Sequence, residues 1–169
     1  DVNGDVMAAT LQPDGKILIG GNFSSVGLGF CNNLARLSAA GSLESSFNPN
    51  PNGAVRALAL QPDGKIVIAG DFTGIGVDLR NHVARLNADG SLDPDFDPDV
   101  NGAVWSVLLQ KDGKIVIGGA FTAVGGQVRN RIARLNPDGS LDTAFNPGAD
   151  GMVLTLAAQA DGKLLVGGQ

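Results

Sequence analysis

The stretch RNRIARLNPDGSLDTAFNPG, residues 129–148, occurs three times in the chain in closely related form. Residues 80–99 read RNHVARLNADGSLDPDFDPD, and residues 31–50 read CNNLARLSAAGSLESSFNPN. The copies follow one another at a constant spacing of 49 residues, and 29 of 49 positions are identical between residues 52–100 and residues 101–149. A fixed period of this length indicates that one structural unit has been duplicated.

Each copy contains short apolar segments separated by turns that end in glycine. In the third copy the segments are residues 103–110, 114–121, 129–136 and 140–145. The first two flank Lys111-Asp112-Gly113, and the last two flank Pro137-Asp138-Gly139. A type I turn closed by a left-handed glycine commonly joins two antiparallel strands. The pattern therefore predicts a meander of three longer strands and one short outer strand.

The second turn also predicts which residues face each other across the outer hairpin. If Asn136 lies opposite Ser140, Leu135 faces Leu141 and Arg134 faces Asp142. Opposite charges directly across a ladder stabilise a sheet by about 0.2–1 kcal/mol. The same offset predicts three cross-strand pairs: Arg36 with Glu44, Arg85 with Asp93, and Arg134 with Asp142.

A four-stranded unit with this period is typical of a β-propeller blade. We therefore predict an all-β fold, a β-propeller built of four-stranded antiparallel blades with a 49-residue repeat. The blades are residues 1–51, 52–100 and 101–149, and residues 150–169 supply the first two strands of a fourth. A linear β-solenoid is the alternative, although its coils are usually shorter. Propellers close with about 4–8 blades, so we expect either a longer propeller or copies that associate through open blade edges.

The repeated motifs also resemble a known family. GGxFTxVGG, RNxIARLNPDGSLDxxFNPG and QPDGKIxIGG, in this order, are similar to the delta-60 repeat, a β-propeller family of unknown function in large bacterial secreted and surface proteins. The first copy departs from the pattern at Phe30-Cys31 and at Ala39-Ala40-Gly41. The resemblance implies an extracellular or cell-surface location, and it carries no catalytic residues to this chain.

Composition excludes some classes of partner. The net charge is −5 and the basic residues are evenly spread, which is unfavourable for binding nucleic acid. No apolar run reaches the roughly 20 residues of a membrane span. Cys31 is the only cysteine, so the chain has no internal disulfide.

The sequence contains no convincing catalytic constellation. His82 is the only histidine, and its equivalents in the other copies are Asn33 and Arg131, which is typical of a tolerant, exposed strand position. Cys31 aligns with two arginines and has no adjacent base, so an inert thiol is the favoured interpretation. We expect no enzymatic activity, and a hydrolase built on a complete propeller is the weakest alternative.

The acidic linker at residues 93–102 raises the hypothesis of a calcium site. Asp97, Asp99 and Asn101, followed by Gly102, match the first half of an EF-hand loop. The twelfth position is Leu108 where a bidentate Glu is required, and the equivalent linkers carry mainly Asn and Gly. A structural crossing between blades is thus favoured over a calcium-stabilised adhesin segment, and no other cofactor is expected.

Partner contact is expected where the copies differ, because variable loops on a constant scaffold commonly carry specificity. The loop after the second strand of each copy varies most, and its candidate binding residues are Phe30, Asp78, Leu79 and Gln127. Trp105 shares one innermost-strand position with Met7, Arg56 and Leu154, and it either faces a channel or fills space between blades; packing between blades is the favoured interpretation. The predicted function is a non-enzymatic scaffold that binds protein or glycan or associates with itself.

Overall fold

The computed structural model describes all 169 residues, and they form 17 β-strands and no helix. The first repeat contains β1 (Asp5–Leu11), β2 (Ile17–Asn22), β3 (Ser25–Val26), β4 (Gly29–Phe30) and β5 (Leu34–Leu37). The second contains β6 (Val55–Leu60), β7 (Ile66–Gly70), β8 (Gly74–Ile75), β9 (Asp78–Leu79) and β10 (Val83–Leu86). The third contains β11 (Val104–Leu109), β12 (Ile115–Gly119), β13 (Ala123–Val124), β14 (Gln127–Val128) and β15 (Ile132–Leu135). The last are β16 (Val153–Ala158) and β17 (Leu164–Gly168).

The long strands form antiparallel sheets, one for each repeat. The sheets have the strand orders β1-β2-β5, β6-β7-β10, β11-β12-β15 and β16-β17. Strands β1, β6, β11 and β16 lie side by side, so the sheets fan out from a common inner edge. We call each sheet, with the segment that follows it, a blade. No segment forms a helix long and apolar enough to cross a membrane.

The turns between strands have the chemistry that the sequence predicts. Gly64 between β6 and β7 has φ +85°, and its N–H donates to the carbonyl of Gln61, while Gln61 N–H donates to the carbonyl of Lys65. Gly139 has φ +92° in the second turn of its repeat. Glycine adopts this left-handed conformation without a steric penalty from a Cβ atom, which explains its recurrence.

The outer segment differs from the predicted fourth strand. It joins each sheet through one isolated bridge, formed by the pairs Leu37–Leu43, Leu86–Leu92 and Leu135–Leu141. The chain turns immediately afterwards, because Asp142 Oδ1 accepts the N–H of Ala144 and the Asp142 carbonyl accepts the N–H of Phe145. This turn ends the ladder and directs the phenylalanine inward. Each complete sheet is therefore three-stranded.

The third long strand of each blade is also shorter than predicted. It begins at Leu34, Val83 or Ile132 because the preceding residue has a left-handed backbone: Asn33, His82 and Arg131 each have φ +63°. The prediction of an exposed strand position at these residues is wrong, since Asn33 is buried and the other two are half-buried.

The core lies between blades rather than within one. Strands β7 and β12 are buried at every residue, because neighbouring blades cover both faces of the sheet. Leu18, Leu34 and Phe47 of the first blade share a cluster with Ile66, Ile68 and Leu86 of the second. A second cluster joins the second and third blades around Phe96 and Phe121. Burial of these side chains is the main stabilising contribution to the fold.

Candidate interaction surface

The variable loop of each repeat folds into a small hairpin. Two-residue strands form these hairpins, β3 with β4, β8 with β9 and β13 with β14. The linker that enters the blade pairs with the first of the two strands, through the bridges Val2–Val26, Pro51–Ile75 and Val100–Val124. The hairpins follow the second strand of each sheet, so they lie at the end opposite the Asp-Gly turns.

Apolar side chains point to solvent at the tips of these hairpins. Phe30, Leu79 and Val128 occupy equivalent positions, and they are 89%, 78% and 69% exposed. Leu28 and Val77 precede them by two residues and are almost fully exposed. We call these five residues the tip row. Asp78 and Gln127 are exposed beside it. The structure thus places the four predicted binding residues on the equivalent hairpins of the three blades.

An asparagine at the start of each repeat holds the hairpin of that repeat in place. Asn101 Oδ1 accepts the N–H groups of Thr122, at 2.9 Å, and Ala123, at 2.8 Å. Asn52 and Asn3 make the same contacts in the other two blades. The Asn-Gly pair that opens each repeat therefore fixes the start of the next tip hairpin, a role that sequence reasoning missed although the motif was visible.

An arginine holds the other end of two hairpins. Arg129 is 6% exposed, and its guanidinium donates to the carbonyls of Val128 at 2.7 Å and Thr143 at 3.4 Å. Arg80 makes the equivalent contacts with Leu79, at 2.6 Å, and Pro94, at 3.0 Å. The guanidinium ties the exposed hairpin to the outer segment, so the tip row is presented on a braced backbone.

The first blade has Cys31 where the others have this arginine. The thiol is buried, its Sγ lies 3.9 Å from the carbonyl oxygen of Gly29, and burial raises its pKa. Thiolate is the nucleophilic form of cysteine. Burial and a raised pKa both lower the thiolate fraction of Cys31, which is unfavourable for reactivity.

The three residues of the calcium hypothesis contact three separate groups. Asp97 lies 3.6 Å from Arg80, Asp99 accepts a hydrogen bond from Asn81 at 2.9 Å, and the Asn101 oxygen is bound to the two N–H groups described above. No cluster of three or more His, Cys, Asp or Glu side chains is suited to hold a metal ion. These contacts occupy the Asn101 side-chain oxygen and one oxygen of each carboxylate, and calcium binding stays a prediction.

Asp99 has a different, structural role in the linker. Its φ is +49°, and the equivalent residues Asn50 and Gly148 also have positive φ. Asp, Asn and Gly tolerate this conformation better than other residues. The recurrence of these three residue types at one position follows from the backbone turn between blades.

The remaining residues singled out in the sequence are His82 and the four equivalent side chains of the innermost strands. His82 Nδ1 lies 3.1 Å from the carbonyl oxygen of Gly70. Four side chains of the inner strands lie at β-bulges: Met7, Arg56, Trp105 and Leu154. Together they line one open hollow of about 410 Å³. Trp105 thus faces the common inner edge, and Arg56 stands 5.9 Å from the centre of its ring. Asp71 holds Arg56 through bonds of 2.7–2.9 Å and raises its pKa.

The predicted cross-strand partners lie within ion-pair distance. Arg36 and Glu44 are 2.7 Å apart, Arg85 and Asp93 2.8 Å, and Arg134 and Asp142 2.9 Å. A lysine that immediately precedes the central strand joins each pair. The hydrogen bond from Lys114, followed by that from Arg134, lowers the pKa of Asp142 to about 2. Each arginine also lies over a phenylalanine ring of its own blade, at 4.4–4.5 Å. These triads are structural and lie away from the tip row.

The solved structures that resemble this chain include a β-propeller domain. The WD40 β-propeller domain of Doa1 superposes with a TM-score of 0.69 at 15% identity, covering 98% of this chain and 48% of that one. A streptogramin B lyase gives 0.65 at 16% identity, covering 95% and 47%. The computationally designed Ika4 protein gives 0.58 at 16% identity, covering 99% and 95%. The chain spans about half the length of the first two, and at these identities the likeness shows the fold alone.

No curated protein matches the sequence significantly. The family described as a domain of unknown function (DUF5122) β-propeller matches three stretches, residues 12–47, 61–96 and 110–145. Each stretch runs from the first Asp-Gly turn of a repeat to its inward-pointing phenylalanine, and together they cover more than half of the chain. The chain therefore belongs to the DUF5122 β-propeller family.

Proposed function

We propose that this chain is a non-enzymatic scaffold that binds a partner protein through the tip row. The observation that supports the proposal is that all three complete blades expose apolar side chains at the same place. Exposed apolar side chains that mark a site of protein contact are one explanation for such a recurrence. The framework residues stay constant between blades while the tip residues change, which is how a scaffold carries specificity.

The chemistry of the row favours a protein partner over a glycan. Its five side chains are one aromatic and four aliphatic, and Asp78 and Gln127 are the polar groups beside it. Buried apolar anchors supply most of the affinity at protein interfaces. The burial of the Cys31 thiol and the backbone contact of His82 support a role without catalysis. We also propose an extracellular or cell-surface location, which rests on the family resemblance of the repeats.

The test is a peptide-display library selected on the intact chain, followed by binding measurements on a triple variant, Phe30→Ser, Leu79→Ser and Val128→Ser. These side chains are exposed, so each substitution is expected to change the free energy of unfolding by no more than about 0.5 kcal/mol. Selected peptides should be rich in apolar residues and should lose at least about tenfold in affinity on the triple variant.

A matched control carries Leu11→Ser and Lys111→Ser, which are exposed at the Asp-Gly-turn end of the blades. It should bind the selected peptides as well as the unchanged chain does. Equal loss on both variants would contradict a role for the tip row. Recovery of ligands only from a glycan array, with no peptide enriched, would overturn the choice of a protein partner.

A further inference from the structure

A polar cavity of about 330 Å³ lies in the first blade, at the end of the sheet that carries the tip hairpins. Its lining residues are Asn3, Asn22, Phe23, Ser24, Asn32 and Asn33. We call this cavity the amide pocket, because four of the six residues are asparagines. Its volume is at the lower end of the range for small-molecule sites, about 300–1,000 Å³.

Asn33 supplies a buried wall of the amide pocket. The residue is 9% exposed, and its Nδ2 donates a hydrogen bond to the carbonyl of Pro51 at 2.9 Å. This bond holds the side chain and identifies which end of the amide is the oxygen. That oxygen, Oδ1, accepts no hydrogen bond from the protein and is not enclosed by it. Since an amide oxygen has two lone pairs, Asn33 offers an acceptor to an occupant of the pocket.

The other polar side chains add further groups, and most of them are held in place. Asn32 Nδ2 donates to Asn50 Oδ1 at 2.6 Å, so the Asn32 oxygen is the free end of that side chain. Ser24 Oγ accepts a hydrogen bond from Asn3 Nδ2 at 2.9 Å and keeps its own hydrogen for another acceptor. Asn22 is exposed at the end of β2, and its side chain bonds to no protein group. The pocket therefore offers both donors and acceptors.

The class of ligand follows from what the lining contains and what it lacks. No charged residue lines the pocket, so a charged ligand would lose water without gaining a counter-charge. Phe23 is the single apolar residue, and it is only 5% exposed, so an apolar ligand would bury little surface against it. A hydroxyl group both donates and accepts hydrogen bonds. The lining thus matches a neutral ring with several hydroxyl groups, which is a sugar.

The other blades have different chemistry at the two least constrained positions. Asn22 is replaced by Asp71 in the second blade and by Ala120 in the third, and Asn33 is replaced by His82 and by Arg131. Asp71 is already paired with Arg56 at 2.7 Å. The set of neutral amides therefore belongs to the first blade alone.

A neighbouring blade does not close this place. The equivalents of Asn3 and Ser24 are exposed in the second and third blades, although both of these blades have a preceding blade; they are Asn52, Thr73, Asn101 and Thr122. The amide pocket therefore lies on an end of the blades that stays open when the blades pack side by side.

We propose that the amide pocket binds one neutral sugar residue. Hydroxyl groups of the sugar donate to the side-chain oxygens of Asn32 and Asn33, and they accept hydrogen bonds from the Ser24 hydroxyl and the Asn22 amide. None of the five tip-row residues lines the pocket. The proposal is thus independent of the protein-binding role of the tip row.

The test is an NMR titration of the ¹⁵N-labelled chain with the methyl glycosides of glucose, galactose, mannose and N-acetylglucosamine. The side-chain amide signals of the asparagines report directly on the proposed contacts. We expect at least one glycoside to shift the signals of Asn22 and Asn33 saturably, with a Kd of about 10⁻³–10⁻² M for so small a ligand. Cyclohexanol, which has one hydroxyl group on a six-membered ring, is the control ligand and should cause no saturable shift.

Two variants carry residues that the other blades have at the same positions, so both are expected to fold. Asn22→Ala should weaken sugar binding about threefold to tenfold, because it removes one hydrogen-bonding side chain. Asn33→His should weaken it at least about tenfold, because it removes the buried acceptor and places a larger side chain in the pocket. Asn130→Ala changes the third-blade equivalent of Asn32 and is the matched control, which should bind as the unchanged chain does.

Three results would overturn the proposal. They are no saturable shift with any glycoside up to about 0.1 M, equal affinity for cyclohexanol, and equal affinity of Asn33→His and Asn130→Ala for the sugar. The triple variant of the tip row should keep its sugar binding, because the two sites share no residue. Loss of sugar binding in that variant would contradict the placement of the sugar in the amide pocket.

Discussion

Two interfaces are built from equivalent residues but differ in how far they exclude solvent. One lies between the second and third blades, and the other lies between the third blade and the sheet of β16 and β17. At the first, Phe96 is fully buried, Arg85 reaches the next blade and Lys65 has its carboxylate. At the second, Phe145 is half-buried, Arg134 has no carbonyl of a following blade, and Lys163 is exposed. The difference teaches that the stability of a blade depends on the outer half of its neighbour. The hydrophobic core of this fold lies between neighbouring blades.

The largest expected effect comes from removing the buried ring on each side of this comparison. Phe96→Ala should lower the free energy of unfolding by about 3–5 kcal/mol, because it opens a cavity in a closed core. Phe145→Ala should cost about 1–2 kcal/mol, since water already reaches part of that ring. Urea unfolding of both variants measures the difference. Equal losses would mean that the last interface is as closed in solution as the others.

A smaller effect is expected from one glycine substitution at two equivalent turns. Gly41 and Gly139 have φ +83° and +92°, so alanine at either position costs about 1–2 kcal/mol through the left-handed backbone. Gly139 also packs against Phe96, whereas a Cβ on Gly41 meets nothing within 4 Å. Gly139→Ala should therefore cost about 1–3 kcal/mol more than Gly41→Ala.

Thermal unfolding of both glycine variants gives this comparison. If Gly41→Ala and Gly139→Ala lower the Tm equally, the contact of Gly139 with Phe96 of the preceding blade does not contribute to the cost of the substitution.

The smallest effect concerns acid stability. The pKa of Asp142 is lowered from 3.8 to about 2 by its bond from Lys114 and then by that from Arg134, and the pKa of Asp93 is lowered by Lys65 and Arg85. A carboxyl with a lowered pKa in the folded state stabilises the protein above its unfolded pKa and loses this contribution as the pH falls toward the folded value. The urea midpoint should therefore decline between about pH 4 and pH 2.

Asp142→Asn should have a lower midpoint at pH 6 and a shallower decline below pH 4, because the titrating group is gone. A decline as steep as that of the unchanged chain would assign the acid sensitivity to other carboxyls. Asp138→Asn is the comparison variant: hydrogen bonds from Ser140 lower the pKa of this exposed carboxyl without an ion pair, so its effect measures the contribution of the turn separately from that of the Lys114–Asp142–Arg134 contacts.

Much of the fold follows from local chemistry that can be read along the chain. The Asp-Gly turns, the alternation of apolar segments and the constant period predict antiparallel sheets repeated as propeller blades, and the family match and the solved relatives agree. The fourth strand was over-predicted, because apolar content does not reveal that the carboxylate of Asp142 bends the backbone after a single bridge. The variable loops were located from differences between copies, but their hairpin form was not predicted.

The sequence by itself determined the repeat, the all-β class and the positions of the turns, because glycine and aspartate at fixed spacing restrict the backbone locally. Only the tertiary structure decided which neighbours each side chain contacts. It brought Asn101 to the tip hairpin, buried Cys31 and separated the contacts of Asp97 and Asp99. These contacts join residues far apart in the chain or across blades, and equivalent residues differ only because their neighbours differ.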